Sequence, residues 1–360
     1  MAKFLLVGAD PERTSSHRGG VLTLSIGLID HAKKQGHFIE VINTLRPGFD
    51  DLPIKLRLRA GLDRVLRLFI AMRAGGYCGA IIFSGAGLSF YERILLASIC
   101  RWYGVRGLLV IVDGWFFEIR KAAFLKRFWI ALFLRIPHKL AASGSPWVHL
   151  FEELGVKPSN IVPVHYWLPE SFVISQNPRM AVLGRPLRFI FVGWMIKEKG
   201  IHELLAAIEE LRKKYDFFFS FAGGGTLLEG VRHRIREADW GERISAPGWV
   251  SNEVVQQMLS SADIFVLPSY AEGFPMSLIE ALSKGLPAIC TDVGGISDSL
   301  RDGVNGYLIP SRQVPPLVDA MERYLMNPQI IAEHSRASLE IVRANHRAEA
   351  NCELVFEALR

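Results

Sequence analysis

The sequence predicts an α/β protein built from two domains of alternating strand and helix, the first with a Rossmann-like βαβ opening. Short apolar runs of strand type recur along the chain between segments of helical spacing. A length of 360 residues, 50% hydrophobic and 22% charged, exceeds one ordinary domain. Pro169, Pro178 and Pro186 mark a loop-rich connection midway. The expected divisions are a first domain at 1–168, a linker at 169–186, a second domain at 187–338 and a closing helical segment at 339–360.

Taken in order, residues 3–9 (KFLLVGA) read as a buried strand. A polar loop containing Gly19 and Gly20 follows, then a helix over 21–35 that stops at Gly36, and a strand over 38–43 (FIEVIN). These glycines do not form G-x-G-x-x-G, so no dinucleotide site is expected, and locally they fit a tight turn. Between residues 52 and 73, at about 100° per residue, Leu62, Val65, Phe69 and Met72 fall on one face, with Asp63, Arg64 and Arg67 opposite. A second basic and apolar stretch, 121–139 (KAAFLKRFWIALFLRIPHK), is denser in bulky side chains. Each stretch either lies on an anionic bilayer or packs its apolar face inward as a surface helix. Further strands are expected at 79–84, 107–113 and 140–142. Asp113 then stands at a strand's carboxyl end, where it faces a ligand crevice or caps the next helix.

In the second half a strand at 187–193 (LRFIFVG) precedes a helix that starts near Gly200. Gly223, Gly224 and Gly225 lack the G-K-[ST] of a phosphate loop and read as a tight turn. Residues 244–250 form a strand ending in a loop. The stretch around which the rest is organised is 269–295, SYAEGFPMSLIEALSKGLPAICTDVGG. A buried strand at 263–268 leads into a loop, then a helix with Pro275 in its first turn and a stop at Lys284 and Gly285, then a strand at 287–291. Glu272 sits in the loop and Glu280 about one turn into the helix. The helix start at Gly273 to Met276, where every residue but Pro275 carries a backbone N–H, offers a seat for phosphate. Two carboxylates beside an anion seat suit a ligand with hydroxyls and phosphate, as in a nucleotide sugar. Alternatively Glu280 is a solvated helix residue and Glu272 a loop charge. Helices over 314–326, 328–345 and the last residues close the chain.

The pattern E-G-F-x5-E-A (Glu272, Gly273, Phe274, Glu280, Ala281) resembles the E-x7-E of the retaining glycosyltransferases of family 4. Residues 191–200 (FVGWMIKEKG), TDVGGI and DGVNGYLIP are similar to flanking motifs of that family. The likeness covers 189–310 well and the first half loosely. It implies the GT-B fold, two Rossmann-like domains facing each other across a cleft with the last helix crossing back to the first domain. It also implies metal-independent, retaining transfer of a hexose or related sugar from a nucleotide diphosphate sugar, with Phe274, Pro275 and Met276 inclining the donor toward UDP. By the same resemblance Lys199 stabilises the departing diphosphate, Glu272 holds hydroxyls of the sugar and Glu280 those of the ribose. Gly19 and Gly20 allow close approach of the diphosphate, and Trp249 and Val250 lie against the base. Two positions depart from the family. Trp194 stands where an arginine is usual, with Lys197 either replacing that cation or serving as surface charge. Val112 stands where a histidine usually touches the sugar, which weakens the case for Asp113.

A formal net charge of +6 favours anionic partners, a membrane surface or phosphorylated substrates ahead of nucleic acid, for which no motif is present. Cys78, Cys100, Cys290 and Cys352 show no C-x-x-C spacing and are expected as reduced thiols. Neither D-x-D nor a histidine cluster calls for a metal, and no cofactor is expected beyond the donor. No apolar run approaches the roughly 18 residues of a spanning helix, and residues 1–6 lack a signal-peptide core. The expectation is a cytoplasmic protein that contacts the inner face of the membrane through 54–73 and 121–139 and acts on a glycan or lipid-linked acceptor. That acceptor belongs to cell-envelope polysaccharide or lipopolysaccharide synthesis. Trp194 and Val112 keep a second reading open, a catalytically weak nucleotide-sugar-binding or assembly protein. A GT-B epimerase or phosphorylase is a third, the phosphorylase disfavoured by the lack of a pyridoxal lysine context.

Overall fold

The computed structural model describes residues 1–13, 19–44, 53–85, 87–180 and 184–360, without the side chains of Arg13, Ile54 and Trp115. The chain divides into two compact units, one of Met1–Phe172 with His346–Arg360, the other of Val173–Asn345.

The first unit runs β1 (Lys3–Gly8), α1 (Gly20–Lys34), β2 (Phe38–Asn43), α2 (Ile54–Ala74), β3 (Tyr77–Ser84), α3 (Leu88–Trp102), β4 (Arg106–Ile111), α4 (Phe124–Phe133), β5 (Lys139–Ser143), α5 (Ser145–Glu153) and β6 (Ile161–Val164). The strands form one parallel sheet in the order β2-β1-β3-β4-β5-β6, so the winding reverses beside β1 and β3. Helices on both faces account for the unbroken apolar reading of β1, where Phe4, Leu5, Leu6 and Val7 are buried.

Two expectations for this unit are corrected. Leu62 does not share the buried face of α2 with Met72; it is 64% exposed and lies outward with Leu58, Leu66 and Ile70, at intervals of one helical turn. Arg64, expected outside, turns inward and forms a double hydrogen bond with Glu92 of α3 at 2.6 and 2.9 Å. The ion pair rotates the helix away from the setting that apolar content alone would choose, and Leu68, Ala71 and Met72 fill the interior instead. The stretch 121–139 is not one helix either. Lys121 ends a 3-10 segment begun at Gly114, α4 spans only Phe124–Phe133, and Lys139 opens β5.

The second unit runs β7 (Leu187–Val192), α6 (Ile201–Arg212), β8 (Phe217–Ala222), α7 (Leu228–Glu237), β9 (Ile244–Gly248), α8 (Asn252–Ser261), β10 (Ile264–Leu267), α9 (Met276–Ser283), β11 (Ala288–Thr291), β12 (Gly306–Ile309), α10 (Val314–Met326) and α11 (Ile330–Asn345). Its parallel sheet has the order β12-β11-β10-β7-β8-β9, with the reversal between β10 and β7. Along β8, Phe217, Phe219 and Phe221 are buried while Phe218 faces outward beneath the guanidinium groups of Arg188 and Arg243, 5.4 and 4.5 Å from its ring. Pro275 precedes α9 as its N-cap rather than lying in the first turn.

The chain then returns to the first unit as α12 (Ala348–Glu357). Phe356 packs on Phe4, ring centroids 4.8 Å apart, and His31 of α1 meets Glu353 at 3.1 Å. Asn351 accepts a hydrogen bond from the His165 N–H at 2.8 Å. Residues 339–345, expected in the returning segment, are the end of α11, and the return begins at His346. The break between units at Phe172 and Val173 lies inside the expected linker, of which 181–183 fall outside the described residues.

Candidate active site

In an open parallel sheet the ligand crevice forms at the carboxyl ends of the strands beside the reversal, which in the second unit are β7 and β10. After β7 a 3-10 turn at Lys197–Lys199 leads to Gly200 and α6. Gly200 has φ +70°, and a Cβ there would come within 2.1 Å of the Pro268 carbonyl oxygen, so only glycine lets this turn lie against the end of β10. A hydrogen bond from the Tyr270 N–H to the Glu198 carbonyl, at 2.7 Å, fixes the contact.

Lys199 Nζ donates to Glu272 Oε1 at 2.5 Å, and Ser269 Oγ donates to the same oxygen at 2.7 Å. Oε2 has no donor among the described residues. Ser269 is held in turn by Thr291, whose hydroxyl donates to its carbonyl at 2.5 Å. Behind the loop sits Gly294, φ +59°, where a Cβ would meet the Glu272 carbonyl at 1.9 Å. Glu272 is 8% exposed, so the carboxylate is buried on a charged partner and directed by several fixed contacts. Sequence reasoning passed over Ser269 and Thr291. The signal was slight, a serine three residues before the loop glutamate and a threonine ending the next strand.

Glu280 lies half-buried on α9, and no hydrogen bond reaches its carboxylate among the described residues. Loss of water pushes its carboxyl up to about 7, opposed by the cation of Lys284. The folded chain therefore holds a proton that the unfolded chain releases between pH 4.5 and about 7, so stability falls as pH rises through that window. The Glu280→Gln variant is expected to be more stable than the wild type at pH 8, by on the order of 1–2 kcal/mol, with the gain gone below about pH 4.5. Thermal melts of both chains across that range measure it, and parallel curves would show that the carboxyl is not desolvated.

At the ends of β7 and β9, Trp194 and Trp249 meet edge to face with centroids 4.9 Å apart, both exposed. Trp249 lies on Gly224, where a Cβ would stand 2.5 Å from Nε1, and the Met195 N–H donates to the Gly224 carbonyl at 2.7 Å. The three glycines thus form a tight turn packed beneath residues 193–195. Val250, after Trp249, is half-buried. Lys197 is exposed and forms no ion pair among the described residues. Gly273, Phe274, Pro275 and Met276 are buried and lead into α9, which has no side-chain cap.

Gly19, Gly20 and Asp113 belong to the first unit. Gly19 is exposed before α1, with open space where a Cβ would be, and Gly20 is the first helical residue. Asp113 is half-buried, and its carbonyl accepts from the Phe116 N–H at 3.2 Å as a 3-10 segment begins. Among the described residues no cluster of three His, Cys, Asp or Glu side chains is set for a metal. No helix there is long and apolar enough to cross a membrane.

With Lys199, Glu272 and the loops of β7 and β10 in place, the chain can be set beside known proteins. Residues 179–340 match the family of glycosyl transferases group 1. The matched stretch takes in most of the second unit. The chain is also similar to the lipopolysaccharide 1,6-galactosyltransferase of Escherichia coli, 32% identical over 163 residues, or 44% of this chain and 45% of that protein. The chain thus spans less than half the length of that relative. Over the whole chain, the fold matches the solved lipopolysaccharide outer core galactosyltransferase WaaB, with a TM-score of 0.71 at 18% identity and coverage of 100% and 99%. It also matches Alr3699/HepE of Anabaena, solved with UDP-glucose, with a TM-score of 0.72 at 13% identity and coverage of 100% and 99%. The expected GT-B fold of two Rossmann-like units is borne out.

Proposed function

We propose that this chain transfers a hexose from a UDP-sugar, with retention and without a metal, to a glycan or lipid-linked acceptor of cell-envelope polysaccharide or lipopolysaccharide synthesis. The observation that carries the reading is the Lys199–Glu272 pair at the carboxyl ends of the two strands beside the reversal. Lys199 neutralises charge developing on the departing diphosphate, and Glu272 accepts from the sugar hydroxyls through its open oxygen. Glu280 takes the ribose hydroxyls, which supply the donors its carboxylate lacks. The edge of the Trp194–Trp249 pair and Val250 receive the base. Gly273, Phe274, Pro275 and Met276 carry the phosphate toward α9, and Gly19 and Gly20 leave room for a phosphate at the start of α1. Retention and metal independence rest on the resemblance to family 4, and UDP is supported by the ligand of the Anabaena neighbour.

A panel of UDP- and GDP-sugars tests this, read by thermal shift and by nucleotide release. Release with one UDP-sugar is expected, and Glu280→Ala is expected to lose most of the stabilisation by UDP. Stabilisation without release from any donor would favour the alternative of a binding or assembly protein, for which Trp194 in place of a cation is the motive.

The reading includes peripheral contact with anionic membrane through 54–73 and 121–139. On α2 the outward Leu62, Leu66 and Ile70 are flanked by exposed Lys55, Arg59 and Arg73, and on α4 Phe124 and Leu125 are 82% and 65% exposed. The chain is expected to sediment with phosphatidylserine vesicles at low salt and to be released at high salt. Phe124→Glu should weaken the retention, and equal recovery with neutral vesicles would count against the contact.

A further inference from the structure

In the first unit, α2 and α3 leave between them a groove of 570 Å3 that reaches Ser84 and Gly85 at the carboxyl end of β3, beside the strand reversal of that sheet. Its volume is that of a small-molecule pocket. Its walls are apolar yet wet: Leu58 and Leu62 of α2 and Leu88 and Leu95 of α3 all line it and are all at least half exposed. A contiguous exposed patch of this kind marks a binding surface rather than chance exposure.

Two further observations define the occupant. Gly61 sits inside α2, where glycine is less favourable than alanine by about 1 kcal/mol. Packing does not require it, since a Cβ there would meet no heavy atom nearer than 3.8 Å. What its bareness does is keep the groove open. The charges at the groove are unequal as well. Glu92 engages both Arg64 and Arg93, at 2.6 and 2.7 Å, whereas Arg57 at the rim has no acidic partner among the described residues.

We propose that this groove holds the hydrocarbon chain of a phosphorylated lipid, with Arg57 on the phosphate. This deepens, and rests on, the acceptor half of the function proposed above. The test is titration of dodecyl phosphate, below its micelle-forming concentration, into the full chain, read by intrinsic fluorescence and thermal melts. Saturable binding is expected. Gly61→Leu, which fills the groove with a better helix former, should weaken it at least roughly tenfold without lowering the melting temperature. Arg57→Gln should weaken dodecyl phosphate by roughly tenfold while leaving dodecanol unchanged. Absence of saturable binding, wild-type affinity in Gly61→Leu, or equal affinity of the wild type for dodecanol and dodecyl phosphate would each overturn the proposal. UDP added to the same samples keeps the two readings apart. Stabilisation by UDP without dodecyl phosphate binding fails the groove alone, and the reverse fails the donor assignment alone.

Discussion

Lys199→Ala is expected to lower turnover by roughly 10²–10³ while changing the affinity for UDP only a few fold. The amine lies 2.5 Å from Glu272, on a turn fixed against the end of β10 by Gly200 and by the Tyr270–Glu198 hydrogen bond, so its position is set before any ligand arrives. A preset cation is worth most where charge appears during the reaction, because no reorganisation is then required. Removing it leaves Glu272 with the Ser269 hydroxyl on Oε1 and takes away the cation proposed to face the diphosphate. Steady-state kinetics with the preferred UDP-sugar separate the two parameters, and melts of the same variant report any loss of folding. An unchanged kcat would remove Lys199 from the chemistry. A rise in KM alone would make it a ground-state contact.

The largest effect on stability is expected at Asp263. Its carboxylate accepts from Arg185 at 2.8 and 2.6 Å and from the Arg188 N–H at 2.8 Å, with 4% exposure against 30% for Arg185. The Asp263 N–H also donates to the Arg188 carbonyl at 2.7 Å, so one residue joins the starts of β7 and β10. Asp263→Ala leaves a backbone donor and a guanidinium without their acceptor, at a cost of roughly 3 kcal/mol. A melting temperature lower by on the order of 10 °C is expected. Asp263→Asn keeps one oxygen and should fall between. An unchanged melt would mean that water replaces the carboxylate without loss.

How far the sequence disclosed this molecule depended on the kind of signal. Buried parallel strands are continuous apolar runs, so DIFVLP and LRFIFVG read directly as β10 and β7, and the loops after them as ligand-facing. Glu272 and Lys199 were legible because each follows such a run within a recognisable motif. Their direct pairing was not, since the residues between them in sequence span a whole βαβ series and only the strand order brings them together. Ser269 and Thr291 were missed because short polar side chains carry no periodicity. The rotation of α2 was missed for a different reason. A helical wheel weighs hydrophobicity, and the Arg64–Glu92 pair outweighed one leucine.

The second unit is a single uninterrupted length of chain, while the first needs its own amino-terminal portion and the last residues, from His346 on. During synthesis domains ordinarily mature in the order in which they leave the ribosome. Here the later one is complete first, and the earlier one waits with Phe4 and His31 uncovered until α12 emerges. A nascent chain halted at residue 345 would present a finished second half beside an unfinished first.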